Sequence, residues 1–406
     1  MSLRLVLALA VVLAAAPAAP AQEPETREEA ARREREAKSR SLAPPKTTGL
    51  ERFLLALENG RLFERLLNPP EGFYPRIGHV TPGSGFSAGP AYRHAALFGE
   101  RADLTVSAMG SLKKYWSIEA LLRAPALAGG AAFAEAYGRR SDYPEEAFFG
   151  IGPAARRSDE SRYDFANTVV GGSAGVRPLR WLSIGGRFER LAPEVQPGSG
   201  PGGPVHGRFS AAQIPGLLEQ PDFNRYETTL ELNYREPRGN PRRGGRYALG
   251  YSIYDDRDRD RYNFRRFDLD LQQYFPMFQQ RRVIALRAAA SLSDADAGQE
   301  VPFYLLRTLG GPDDLRGFRQ YRFRDRNLLL LQVEYRWEVF TAMDAAIFYD
   351  AGKVAGARSD LDFDGLERDY GIGVRFGADN GVFLRVEGAF GSRDGKHLVL
   401  RFGNVF

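Results

Sequence analysis

The 406-residue chain is 43% hydrophobic and 26% charged, with 44 Gly and no Cys. That composition is too apolar and aromatic for a wholly disordered protein, and long enough for one large or two modest domains. The lack of cysteine excludes a disulfide scaffold, a thiolate zinc site, a cysteine nucleophile and a lipidated N-terminal cysteine. A formal charge of +5, from 56 basic and 51 acidic residues, implies a mixed-sign surface and no nucleic-acid partner.

The N-terminus has the order of a secretory signal peptide: Arg4, an unbroken apolar run from Leu5 to Ala16, then Ala19-Pro20-Ala21 before Gln22. A mature chain starting near Gln22 is expected, with residues 1–21 removed. Residues 22–72 differ from everything after them. Glu23 to Arg40 is a charge-dense run with no apolar face, ending at Pro44-Pro45. Leu50, Phe53, Leu54, Leu57, Leu62, Phe63, Leu66 and Leu67 then recur at helical spacing, and Pro69-Pro70 stops the pattern. A periplasmic linker followed by a short amphipathic helix is predicted. That helix would pack on a neighbouring surface, lie on a membrane face or plug a pore.

From about residue 73 the period changes from 3.6 to 2. In 226–235, Tyr226, Thr228, Leu230, Leu232 and Tyr234 oppose Glu227, Thr229, Glu231, Asn233 and Arg235. In 327–338, Leu329, Leu331, Val333, Tyr335 and Trp337 oppose Gln332, Glu334 and Arg336. A strand of about 10 residues with one apolar face, one polar face and aromatic ends suits a wall with lipid outside and water inside. Soluble sandwich strands also alternate, but are usually about 5–6 residues long.

Counting back from the C-terminus places strands at 396–406, 381–390, 366–376, 344–351, 327–338, 281–292, 262–275, 244–255, 222–236, 179–191, 161–176, 130–142, 113–123, 101–110, 86–99 and 73–81. Short and long connections mostly alternate, the long ones being 352–365, 293–326, 192–221 and 143–160. That is the asymmetry of an outer-membrane barrel with short periplasmic turns and long external loops. The fold class predicted is therefore all-β, a transmembrane antiparallel β-barrel of about 16 strands over 73–406, with a short N-terminal periplasmic helix. The Gly- and Pro-rich connection 192–221 is expected to be mobile. In the last strand, Leu398, Leu400, Phe402 and Phe406 share one face. The terminal Phe406 resembles the signal read by barrel-assembly machinery.

Residues 309–318 read Leu-Gly-Gly-Pro-Asp-Asp-Leu-Arg-Gly-Phe, and Phe348-Tyr349-Asp350-Ala351-Gly352 follows downstream. Together they resemble the bacterial surface antigen family, the BamA-type outer-membrane assembly and two-partner-secretion barrels. The resemblance covers roughly 73–406. It implies that Arg316-Gly317-Phe318 is the tip of a sixth external loop folded into the lumen, with Arg316 meeting the wall carboxylates Glu334 and Asp350. Independently of the family, both acids have the parity opposite the outward Val333, Tyr335, Ile347 and Tyr349, so both point inward. A fork-shaped guanidinium suits such a pair of acids. The assembly and secretion members usually carry periplasmic POTRA modules; only about 50 residues stand between the signal peptide and the barrel, so the expected likeness is to the subgroup without them.

The four His, at 79, 94, 206 and 397, have no paired metal spacing, and no nucleophile-elbow or phosphate-loop motif occurs. No enzyme activity, metal or cofactor is expected. The run Asp255 to Arg261 could hold calcium or lipopolysaccharide, or form a solvated loop tip. The expected function is insertion or translocation of proteins or lipids through a lumen gated by the inward loop. The alternative is a passive pore or structural barrel, with Arg375, Arg385, Glu387 and Arg401 lining a mixed-charge channel. The expected partners are outer-membrane lipid and lipopolysaccharide, the barrel-assembly machinery for its own insertion, and a client protein or lipid.

Overall fold

The computed structural model describes residues 71–406 except Thr341, Asp379, Asn380, Asn404 and Val405. The chain divides into two units, Met1–Ala56 and Leu57–Phe406, and the described residues all belong to the second. The predicted signal peptide, linker and helix lie outside the described residues, apart from positions 71 and 72.

The strands are β1 (Gly72–Gly78), β2 (Ser87–Leu97), β3 (Ala102–Ser111), β4 (Trp116–Leu127), β5 (Ala132–Phe148), β6 (Ser161–Leu179), β7 (Leu182–Pro197), β8 (Phe223–Asn233), β9 (Gly244–Asp256), β10 (Phe264–Met277), β11 (Arg282–Ala295), β12 (Arg307–Leu309), β13 (Phe323–Asp325), β14 (Asn327–Phe340), β15 (Met343–Ala355), β16 (Glu367–Ala378), β17 (Gly381–Ser392) and β18 (Gly395–Arg401). Sixteen of them form one sequentially ordered antiparallel sheet, and β12 pairs with β13 apart from it. Each of the sixteen predicted strands coincides with one strand of this sheet. The fold is all-β, a sixteen-stranded antiparallel sheet of the β-barrel class.

Alternation decides which way each side chain points. On β14, Val333 is 44% exposed while Gln332, Glu334 and Arg336 are buried; on β15, Ile347 and Tyr349 are exposed while Phe348 and Asp350 are buried. The outward face offers lipid an apolar surface. The ladders satisfy the backbone, as a hydrocarbon surrounding requires. The inward face is polar because it meets the lumen and the loop folded into it.

The wall is uneven. β5, β6 and β7 have 17, 19 and 16 residues, well beyond the roughly 9–11 that cross a bilayer, so they project past the lipid. β1 and β18 have only 7 each. Among the described residues no ladder joins β1 to β18, although the rings of Phe86 and Phe402, next to these two edges, stand 6.4 Å apart.

Two expectations need correction. The connection 192–221 is not loose: β7 runs to Pro197, and Val205, Ile214 and Leu217 are buried in one apolar cluster with Phe148, Phe223, Tyr262 and Phe303. Its Gly and Pro bend the chain, while these three apolar side chains anchor it. Phe406 does not extend the outward face of Leu398 and Leu400. The strand ends at Arg401, Gly403 takes φ +91°, and the Phe406 ring packs inside against Tyr274, Val283 and Ala285, with the Arg336 guanidinium 5.2 Å from its centroid. Leaving the ladder at Arg401 releases the remaining residues from the parity on which the expectation rested.

The run after Asp255 is a tight turn. The Asp256 carboxylate accepts the backbone N–H groups of Asp258, Arg259, Arg261 and Tyr262 at 3.0–3.1 Å. An acid so engaged is a local staple.

Candidate functional site: the loop folded into the lumen

The connection between β11 and β14 enters the lumen on a short stem, β12 paired with β13. Beyond the stem, Gly310 has φ +108°, and a Cβ there would lie 2.6 Å from the Arg319 carbonyl oxygen; the turn requires glycine. Leu309, Leu315, Phe318 and Phe323 from the loop pack with Leu328, Leu330 and Val354 of the wall. The Phe318 and Phe323 rings meet edge-on at 5.3 Å. This apolar cluster seats the tip, leaving Arg316 to the polar wall beside it.

Arg316 is fully buried. Its Nε and Nη2 donate to the two oxygens of Asp350, both at 2.7 Å, and its Nη1 donates to Glu334 Oε1 at 2.6 Å. The guanidinium carbon lies 3.4 Å from the centroid of Phe348, which floors the site. One face of the cation is thus covered by a ring and its edge is forked onto carboxylates, the arrangement a planar guanidinium accommodates and an ammonium does not.

Glu334 is shared. Arg375 Nη2 reaches its Oε1 at 2.5 Å, and Arg336 Nη2 its Oε2 at 2.6 Å. Glu387 receives Arg316 Nη1 at 3.3 Å and Arg385 Nη1 at 2.9 Å. Arg375, Arg385 and Glu387, which the alternative reading of a passive pore placed along a mixed-charge channel, are buried in this network. Arg401 pairs with Asp313 of the loop at 2.5 Å. Four buried guanidiniums (Arg316, Arg336, Arg375, Arg385) thus share three buried carboxylates, Glu334, Asp350 and Glu387, and Asp313 of the loop adds a fourth acid, 3.2 Å from Arg385 Nη2. Pairing of this kind is what makes such burial tolerable.

Gly317 sits against Asp369 of β16: an added Cβ would come within 2.6 Å of the Asp369 Cβ. Its carbonyl accepts the hydroxyl of Ser392. Gln332 donates to Asp350 Oδ1 at 3.2 Å and to the Asp314 carbonyl at 2.8 Å. Burial pushes the Asp314 side chain up to about 7, against the pull of Arg287, with Asp313 and Asp350 adding to the rise. Sequence reasoning placed Arg316, Glu334 and Asp350 in one site but not Gln332, Asp369 or Glu387. Inward parity was the signal available for these, and it does not select them from the other inward polar groups.

On the other side of the loop lies a lumen chamber of about 890 Å³, lined among others by Arg187, Glu227, Arg246, Asp270, Arg287 and Arg307.

Residues 260–394, which contain Arg316 and the three carboxylates it meets, match the Omp85 superfamily domain. Among curated proteins no sequence matches the chain. Among solved structures, BamA from Haemophilus ducreyi lacking POTRA domains 1–3 aligns with a TM-score of 0.61 at 15% identity, over 82% of this chain and 70% of that one. CdiB from Escherichia coli aligns at 0.56 and 13%, over 81% of this chain and 61% of that one. CdiB from Acinetobacter baumannii aligns at 0.53 and 12%, over 82% and 59%. The chain spans about three fifths of the length of the two CdiB structures. At these identities the likeness is one of fold.

Proposed function

We propose that this chain, an outer-membrane β-barrel of the BamA type whose residues 260–394 form an Omp85 superfamily domain, helps to insert or translocate proteins or lipids, with the Arg316 loop as its gate. The observation that supports this best is the fork of Arg316 on Asp350 and Glu334. A buried, ion-paired contact holds a loop in one place. Releasing the loop costs the pairing all at once, so the loop has two discrete positions rather than a range of them. No catalytic step is assigned. Residues 22–72 are proposed as a periplasmic linker and helix, Phe406 as part of the signal for the barrel's own assembly, and lipopolysaccharide as a lipid contact of the outer rim.

The second reading, a passive pore, is favoured by the mixed-charge chamber beside the loop. Single-channel conductance of the purified chain in planar bilayers separates the two. A gate predicts a low, quiet conductance that becomes larger and noisier in Arg316→Ala. The variant loses the pairing of Asp350, about 3–5 kcal/mol for a fully buried pair. Arg316→Lys should restore quiet behaviour only in part, because a point charge cannot fork. Equal, large and steady conductance in all three proteins would favour the pore.

A further inference from the structure

Among the described residues, no ladder joins the first and last strands of the sheet. β1 pairs with β2 and β18 with β17, and a cavity of about 730 Å³ opens along this seam. It is lined by His79 and Thr81 from the first hairpin, His397 and Val399 from the last strand, and Arg319 and Tyr321 from the loop.

Two consecutive loop residues reach the two sides. The Tyr321 hydroxyl lies 3.3 Å from Thr81 Oγ1, in the connection between β1 and β2. The Arg322 Nε lies 3.1 Å from Asp394 Oδ2, in the turn between β17 and β18, and both side chains are buried. Neighbouring residues can diverge so sharply because Tyr321 takes φ +59°, a left-handed conformation disfavoured for any residue with a Cβ. The Tyr321 N–H holds that turn by donating to the Gly310 carbonyl at 3.2 Å. A third anchor, Arg319 Nη1 on Glu160 Oε2 at 2.7 Å, fixes the same stretch to the connection between β5 and β6.

We infer that Tyr321 and Arg322 form a clasp across the seam of the barrel, so that the loop ties the first hairpin to the last. This rests on the proposal that the loop is a gate and extends it. Arg316 fixes the loop to the β14–β17 wall, and the clasp passes that fixation on to the first and last hairpins. The seam then parts only when one hairpin leaves its loop residue. Tyr321 and Arg322 are positioning residues.

The test uses the full chain in liposomes. Because the sequence has no Cys, spin labels at Phe73→Cys on β1 and Leu398→Cys on β18, both outward and exposed, report the distance between the edges. Trypsin cleavage within 309–325 reports whether the loop is seated, and heat-modifiable migration confirms a folded barrel. Tyr321→Phe removes one hydroxyl. Arg322→Gln and Asp394→Asn remove the ion pair from either side. Each should raise the long-distance population while the loop stays uncut: Tyr321→Phe about fivefold, the change that losing one ordinary hydrogen bond brings, and the other two by more, because each leaves a buried charge unpaired. An unchanged distance distribution in all three variants overturns the clasp. If Arg316→Ala then still exposes the loop to trypsin, the gate stands without the clasp. If Arg316→Ala leaves the loop uncut as well, the gate falls too.

Discussion

At the scale of single residues, the site depends on close approach as much as on charge. Gly317 is glycine because Asp369 lies against its backbone, with 2.6 Å left for a Cβ. Gly317→Ala should lift the tip at a cost of about 1–3 kcal/mol, the range for overpacking a well-filled site. It should be read as faster trypsin cleavage after Arg316 and Arg319 in a barrel that still runs folded. Asp314 makes loop seating depend on pH. Its value rises from the usual 3.8 to about 7 in the docked loop, burial being the main cause. Between those values the docked loop holds a proton that the released loop does not. Seating is therefore strongest near pH 4 and weakens as pH rises toward 7. Asp314→Asn should flatten this trend in a proteolysis series across that range; an unchanged slope would assign the dependence to other groups. Of the site, Arg316, Glu334 and Asp350 were legible from motif and parity. Gln332 and Glu387 were not, because parity says that a side chain faces the lumen but not which loop residue it meets there.

At the scale of elements, strands were legible and the course of the loops was not. A strand's alternation is imposed along its whole length by lipid on one side and the lumen on the other. The stem β12–β13 has three residues per strand, too few for a period to show. The connection 192–221 was misread because Gly and Pro mark where a chain bends, whereas Val205, Ile214 and Leu217 decide where it rests. Ile214→Ala should remove about 2–5 kcal/mol of local stability, as for other buried large-to-small changes. Hydrogen exchange should quicken over 205–217 and stay slow in β7 and β8. Equal quickening in those strands would mean that the connection supports the wall instead of resting on it.

At the scale of the whole molecule, one face of the sheet meets lipid and the other meets the chain's own loop. The outward face sets a gradient with depth. Val333→Arg, near the middle of β14, should cost about 2–4 kcal/mol, and Val339→Arg near its end about 0–1. Equilibrium unfolding of the two variants in liposomes measures the difference, and equal costs would contradict a lipid-facing surface. The inward face carries no comparable gradient, since its polar groups are paired with the loop and with one another.

The amino-acid sequence by itself determined the sixteen strands, their inward and outward faces and the motif of the loop tip, because period, parity and turn residues are local and each is repeated many times. Tertiary structure alone decided the rest. The shared use of Glu334 by three guanidiniums, the approach of Asp369 to Gly317, the inward turn of Phe406 and the seam bridged by Tyr321 and Arg322 all join residues far apart in the chain. Each depends on how far the sheet curls and how deep the loop reaches, which no local pattern records.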